Sequence, residues 1–378
     1  KLHKTFHTQA LIARKCGKLC NIGRFVDSKC LSFHTFAATK RCMKKQILFI
    51  INPKSGTSSK DTVVSLIPEM LDSGRFDWRI AYTEHAGHAS QIAAKAAADG
   101  CDIVVAVGGD GTVNEVARSL VHTDTVLGII PVGSGNGLAR HLQIPVEVDN
   151  ALRVINDCIV KNVDYCKIND IPFFCTCGVG FDACVSDSFA RAGKRGMLTY
   201  AETMLTEGLN YEADTYEIEI DGEKQHYKAF LIACANASQY GNNVYIAPEA
   251  HVTDGLMDVT VMEPFKLAEA AQVVYQLMNR TISHRNDVHT YKCRSVKIRR
   301  QHEGVIHYDG DPNMAPAELE VNIVPGGLKM IISSYERYSG GPLLGVLGDI
   351  YARIGSDLRK NNRRIQQINK ELLNKLKQ

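Results

Sequence analysis

From residue 43 to about residue 158, short β-rich apolar runs alternate with stretches whose apolar residues recur every three or four positions. That is the pattern of a parallel α/β sheet. Ile47 to Ile51 predicts a strand, followed by the loop Asn52-Pro53-Lys54-Ser55-Gly56 and a helix through Val63, Val64, Ile67 and Leu71. Arg79 to Tyr82 predicts a second strand, and Ala89 to Ala98 a helix stopped by Gly100. Ile103 to Val107 is a buried-strand run ended by Gly108-Gly109-Asp110-Gly111-Thr112, with a helix from Val113 to Leu120 and a fourth strand, Val126 to Ile130, after it. From about Asn162 the pattern changes to short strands with turn signals: Asp214 to Ile220 alternates, Asp221-Gly222 reads as a hairpin turn, and Tyr227 to Ala233 answers it. Further β-like runs at Met257 to Val261, Ser295 to Arg299, Val305 to Tyr308, Glu318 to Ile323 and Lys329 to Ile332 predict an antiparallel β-rich half, with one helix inserted at Phe265 to Met278. No internal repeat occurs.

The chemically suggestive loops follow strand ends. Ligands of an open α/β sheet bind outside the carboxyl ends of its strands, so Asn52 to Gly56, Thr83 to Gly87, Gly108 to Thr112 and Gly133 to Asn136 are expected to converge on one cleft. Three glycines in the Gly108 to Thr112 turn let backbone N–H groups approach a polyphosphate, with a helix start ahead of them. Asp110 can hold magnesium or accept a proton.

A chain of 378 residues suggests two domains, because single cores usually stop growing by about 250 residues. Charge is uneven: residues 1–42 carry a net +8, residues 339–378 a net +5, and the body between them −10. An acidic body argues against a nucleic-acid partner. The leader 1–42 follows no sustained period, and Met43 reads as a start, making the leader translated upstream sequence or a cloning artefact; an Arg-rich targeting peptide is the alternative. The tail 339–378 reads as a basic amphipathic helix that lies on an anionic membrane surface or docks on protein. No run reaches the ~18 apolar residues of a spanning helix. The twelve cysteines show no CxxC pair and read as reduced thiols, which points to a cytoplasmic, peripherally membrane-associated protein. His85 and His88 lack acid or thiol partners nearby and read as loop or helix-cap residues rather than metal ligands.

No GxxxxGK[ST] loop is present, and Gly178-Val179-Gly180-Phe181-Asp182-Ala183 matches a dinucleotide string by letter without the βαβ context. What remains resembles the diacylglycerol kinase family in its broad sense, with sphingosine, ceramide and bacterial lipid kinases as relatives. The resemblance runs through Asn52 to Gly56, Thr83 to Ala89, Gly108 to Glu115 and Gly133 to Ala139, then Val179 to Ala183, Tyr240-Gly241, Ile246 to Pro248, Asp254 to Asp258 and Asp309 to Pro312. It implies an N-terminal α/β nucleotide-binding domain with a parallel sheet (43–160), a C-terminal antiparallel β-sandwich domain for the lipid (161–338), and an active site in the cleft between them. The implied reaction is transfer of the ATP γ-phosphoryl group to a lipid hydroxyl, with diacylglycerol giving phosphatidic acid and magnesium (Mg2+) as the metal.

Carried over by matching letters, Asn52, Ser55, Gly56, Thr83, Gly108, Gly109, Gly111, Thr112, Glu115, Gly133, Ser134, Gly135 and Asn136 would bind ATP. Asp110 and Asp311 would be the catalytic acids, with the choice of proton acceptor left open. Asp164 and Asp182 would join a water and substrate network, and Asp254 with the Met257 backbone a structural metal site. Expected partners are ATP, a lipid alcohol and a membrane surface, with a homodimer left open. Many bacterial diacylglycerol kinases carry an Asp where Gly137 stands, so a sphingoid base is an alternative acceptor. NAD kinase and a non-catalytic lipid or nucleotide sensor are the rival readings.

Overall fold

The computed structural model describes residues 44–56, 60–191, 207–208 and 211–334. The leader 1–42 and the tail 339–378, with the helix expected there, lie outside the described residues. In the first half β1 (Lys45–Ile51), α1 (Lys60–Met70), β2 (Phe76–Tyr82), α2 (His88–Ala98), β3 (Ile103–Gly108), α3 (Asp110–Leu120) and β4 (Val126–Pro131) follow in order. β1 to β4 pair in parallel in the order β2-β1-β3-β4. Every residue of β3 is buried, as expected of a strand with helices on both faces. The short α4 (Gly137–His141) and α5 (Val148–Asp157) complete this half; α4 went unpredicted because five residues carry no readable period.

The second half contains β5 (Val160–Ile168), β6 (Ile171–Phe173), β7 (Thr176–Gly180), α6 (Phe181–Arg191), β8 (Asp214–Ile220), β9 (Glu223–Ala229) and β10 (Leu231–Ala235). After them come β11 (Gln239–Gly241), β12 (Val244–Tyr245), β13 (Met257–Met262), α7 (Ala270–Met278), β14 (Val288–Cys293), β15 (Ser295–Arg299), β16 (Gly304–Tyr308), β17 (Asp311–Ala315) and β18 (Glu318–Ile331). A purely β-rich reading missed α6, which leaves β7 without a loop. The helix expected from Phe265 begins instead as a 3₁₀ turn at Leu267–Glu269.

Six strands, β14-β13-β10-β7-β16-β17, form an antiparallel sheet. Its period-2 alternation divides two cores. Ile232 and Cys234 of β10 face a sandwich core shared with Ile218, Val296, Ile298 and Val321, whereas Leu231, Ala233 and Ala235 face Phe181 and Val185 of α6 and Val273 and Leu277 of α7. The sheet opposite is not confined to this half. β18 pairs antiparallel with β15 and β5 and then lies parallel to β4, so one ten-stranded mixed sheet runs from the parallel half into the sandwich. The register of β18 shifts between Val324 and Leu328, and Asp164 pins that shift by accepting the N–H groups of Gly326 (2.7 Å) and Gly255 (2.8 Å). The eight described cysteines are free thiols.

Candidate active site

Four loops meet at the carboxyl ends of β1 to β4. Asn52 N–H donates to Val107 O (3.1 Å), Thr83 N–H to Ile51 O (3.0 Å) and Val132 N–H to Gly108 O (3.0 Å). The Asn52 amide donates to Thr112 Oγ1 (3.0 Å), and its oxygen accepts Lys54 N–H (2.9 Å) in an Asx turn. Ser55 is buried and its hydroxyl donates to Asn52 O (3.0 Å). Gly56, at φ +61°, lies so close to the Val132 carbonyl that a Cβ would overlap it. A Cβ on Gly133 would come within 2.5 Å of Gly109 Cα, so the two glycine turns touch backbone to backbone. Asn136 is a left-handed residue (φ 55°) whose amide closes its own loop, accepting Gly133 N–H (3.0 Å) and donating to Gly133 O (2.9 Å). Gly111 and Ser134 are exposed at the tips of the two turns.

Asp110 is half-buried at the start of α3. Its Oδ2 accepts Asn136 N–H (2.8 Å) and its Oδ1 accepts Gly137 N–H (2.7 Å). Burial pushes its pKa above the usual carboxylate range, and those two donors pull against the shift. The carboxylate therefore clamps the second glycine turn to the first. Glu115, one turn along α3, accepts Gly87 N–H (2.9 Å) and Ala89 N–H (3.1 Å), placing its charge at the positive end of α2. His88 Nδ1 accepts Glu84 N–H (3.1 Å) and stacks on His85 at 4.8 Å, a cap arrangement. Lys60 donates to the Ser55 carbonyl, and burial lowers its pKa; nothing in the sequence singled it out, because a lysine at a helix start has no motif.

Among the described residues the second half touches these loops at several points. Asn242 N–H donates to Gly135 O (3.2 Å), and His141 Nδ1 accepts Ser238 N–H (3.0 Å). Asp309 makes a further contact. It accepts the N–H groups of Phe174 (2.9 Å), Cys175 (2.7 Å) and Thr176 (3.2 Å) and the Asn114 amide of α3 (2.5 Å). Its pKa is raised by burial and lowered by these four donors. Asp311, two residues on, is exposed at the start of β17.

Asp182 accepts hydrogen bonds from the Tyr240 hydroxyl (3.0 Å) and His307 Nε2 (2.9 Å). At the expected metal corner, Asp254 accepts Leu256 N–H (3.0 Å), and the Lys292 ammonium lies 3.4 Å from Asp254 and 2.9 Å from Asp258. These residues do not fit a resident metal ion, because the Lys292 ammonium already supplies the cation between Asp254 and Asp258. Among the described residues no group of three or more His, Cys, Asp or Glu could hold a metal. Two cavities, of about 160 and about 270 Å³, flank Arg140 and His141 of α4 rather than the glycine turns.

Comparison with known proteins matches residues 46–168 to the diacylglycerol kinase catalytic domain and residues 175–332 to the YegS C-terminal NAD kinase beta sandwich-like domain. The chain belongs to the diacylglycerol kinase catalytic-domain family. Within this lipid kinase family it is 31% identical to an uncharacterized Synechocystis protein over 74% of its own length and 69% of the relative's. It is 30% identical to a Chromohalobacter salexigens protein named "Probable lipid kinase YegS-like" over 66% of its length and 82% of the relative's. It is 27% identical to the Bacillus subtilis diacylglycerol kinase over 73% of its length and 93% of the relative's. A diacylglycerol kinase structure from Bacillus anthracis str. Sterne superposes with a TM-score of 0.60 at 22% identity, covering 77% of this chain and 98% of that one, a likeness of fold. The family's kinases use ATP, and the chain is a phosphotransferase of this lipid kinase family.

Proposed function

We infer that the protein transfers the γ-phosphoryl group of ATP to the hydroxyl of a lipid, with diacylglycerol as the acceptor. The observation that carries this reading is the backbone contact between the two glycine turns, clamped by Asp110 inside the region that matches the family's catalytic domain. Phosphoryl transfer needs positioning and charge stabilisation more than covalent chemistry. N–H groups of the two turns and of the α3 start would hold the phosphates, and magnesium, when bound with ATP, would supply charge neutralisation there. Asp311, exposed at the start of β17 two residues beyond Asp309, is taken as the proton acceptor for the lipid hydroxyl. Peripheral membrane association is assigned to the basic tail, since the body is acidic. Among the described residues no helix is long and apolar enough to cross a membrane.

A sphingoid base is the second reading, favoured by Gly137. A Cβ there would meet Cys175 Sγ at 3.1 Å and the carbonyls of Tyr240 and Gln239 at 3.2 and 3.3 Å, so the acid that many bacterial relatives carry would fit here only tightly, with these neighbours displaced by a few tenths of an ångström. The test is transfer of labelled γ-phosphate from ATP to a micellar panel of diacylglycerol, monoacylglycerol, sphingosine and ceramide, with NAD as a soluble control. Label in diacylglycerol supports the first reading and label in sphingosine the second. Label in NAD alone, or in nothing while ATP still binds, overturns both.

A further inference from the structure

The larger cavity, of about 270 Å³, opens where the chain passes from the parallel half into the sandwich. Three elements wall it: the end of α4 brings His141, the start of β5 brings Lys161 and Val163, and the loop before β13 brings His251 and Thr253. Two backbone bonds fix these walls. Asp164 N–H donates to Val252 O (2.7 Å), tying the loop to β5, and Ile332 N–H donates to Ile159 O (2.9 Å), holding the end of β18 at the same place. The His141 ring is fixed by Ser238, whose N–H donates to Nδ1 (3.0 Å), so that Nε2 carries the hydrogen. None of the glycine-turn residues lines this cavity.

No acid lines the cavity, although the body of the chain carries a net charge of −10. Elsewhere on that body lysines sit against carboxylates: Lys44 on Asp77, Lys224 on Glu217, Lys292 on Asp258 and Lys329 on Asp124. Lys161 does not. Among the described residues its ammonium has no ion pair or hydrogen bond, and the Thr253 hydroxyl has no hydrogen bond. The acids on the adjoining elements are already committed. Asp164 accepts the N–H groups of Gly255 and Gly326, and Asp258, which interacts electrostatically with His251, holds the Lys292 ammonium at 2.9 Å. An ammonium, imidazole N–H groups and a hydroxyl converging without a counter-charge suit an anion with several acceptor oxygens. Size narrows the choice. The volume is several times the ~30 Å³ share of a water and below the ~300–1,000 Å³ of drug-sized sites, so a phosphate or small phosphomonoester fits where a nucleotide does not. Val163 and Ile332 give its short carbon group an apolar wall.

We propose that this cavity is a second anion site, which binds a phosphate group through Lys161, His251 and Thr253 with the His141 N–H beside them. Free phosphate, a small phosphomonoester and the head group of phosphatidic acid present that same chemistry. Calorimetric titration of the full chain with inorganic phosphate and with glycerol 3-phosphate, in the presence of a non-hydrolysable ATP analogue, is expected to show one site per chain. Lys161→Gln is expected to weaken binding about tenfold or more and His251→Ala about fivefold, whereas Lys161→Arg, which keeps the charge, stays within about threefold of wild type. Lys329→Gln, outside the cavity, is expected to bind as wild type does. Lys161 and His251 are exposed, and circular dichroism checks that both variants fold. Sedimentation with phosphatidylcholine vesicles, with and without phosphatidic acid, separates the sources. Retention on the phosphatidic acid vesicles that Lys161→Gln loses assigns the site to a lipid head, and calorimetric binding without such retention assigns it to a soluble ligand. Binding found in neither assay, or binding that either Lys161→Gln or His251→Ala leaves unchanged, overturns the site. Phosphate held by the glycine turns would be indifferent to both variants, so a failure of the kinase reading is not mistaken for a failure of this one.

Discussion

Asp110 and Asp311 each follow a glycine, yet their surroundings differ. Asp110 has backbone N–H groups on both oxygens, so replacing it disturbs the loop of Asn136 and Gly137 first. Asp110→Asn puts an amide hydrogen against a backbone N–H donor, and its ATP affinity is expected to fall about tenfold, the scale of one unsatisfied buried donor. Asp311→Asn leaves that clamp untouched. It is expected to bind ATP as wild type does while turnover falls at least about 100-fold, the lower range for a lost general base. Equilibrium ATP titration and single-turnover transfer on the two variants check both; equal loss of ATP affinity in the two would contradict the division. Both acids were legible in the sequence, Asp110 among three glycines and Asp311 in the Asp-Gly-Asp-Pro turn. What was not legible is which carboxylate is committed to backbone, since that depends on the approach of Asn136 and Gly137 from a loop 26 residues away. Asp309 was visible only as part of a motif. Its hold on Asn114, 195 residues earlier, has no signature in a single chain.

Elements meet at this site through glycines whose lack of a Cβ is needed for two different reasons, and the costs of replacing them should differ accordingly. Gly133→Ala pushes a methyl against Gly109 and against Asn136 Oδ1 at 2.8 Å, forcing the two turns apart. Overpacking of this kind costs about 1–3 kcal/mol, and ATP binding is expected to be lost with it. Gly87→Ala meets nothing within 4 Å and suffers only the strain of φ +80°, about 1–2 kcal/mol, with ATP binding retained. Urea midpoints with ATP titrations on both variants test the contrast.

A second element-scale joint holds α7. Arg285, its side chain 9% exposed, donates to both oxygens of Asp287 (2.7 and 2.6 Å) and to Glu269 (3.1 Å) ahead of the helix. The guanidinium keeps Asp287 below its ordinary pKa. A depressed carboxylate stabilises the fold fully above its unfolded pKa of about 4, and that contribution is lost as pH falls through the folded value. Asp287→Asn is thus expected to be about 1–2 kcal/mol less stable at pH 7 and to show a shallower acid limb below about pH 4 in urea unfolding. An acid limb as steep as that of wild type would contradict it. The helices with a sustained apolar period, α2 and α3, were readable. α6 was not, because its glycine-rich entry from β7 and its apolar spacing read equally well as a strand and turn.

At the scale of the whole molecule, β18 decides how the halves unfold. The sequence pattern changes at about residue 160, where helical periodicity gives way to strands. The last strand does not respect it. Glu318 to Asn322 of β18 pair with β15 inside the sandwich, while Met330, fully buried, registers with Leu127 of β4 in the parallel sheet. β5, the first strand beyond the boundary, lies along nearly the whole of β18, and Asp164 fixes the bulge between its two registers. A strand shared between two sheet segments cannot leave one without exposing the edge and the apolar face of the other. The single tryptophan, Trp78 on β2 at the far edge of the parallel half, reports on that half alone, whereas far-ultraviolet circular dichroism also follows the strands of the sandwich. Urea transitions followed by the two signals are therefore expected to coincide, as in a two-state unit. If the fluorescence transition precedes the dichroic one by more than the fitting error, β18 is not a structural tie and the two halves behave as independent domains.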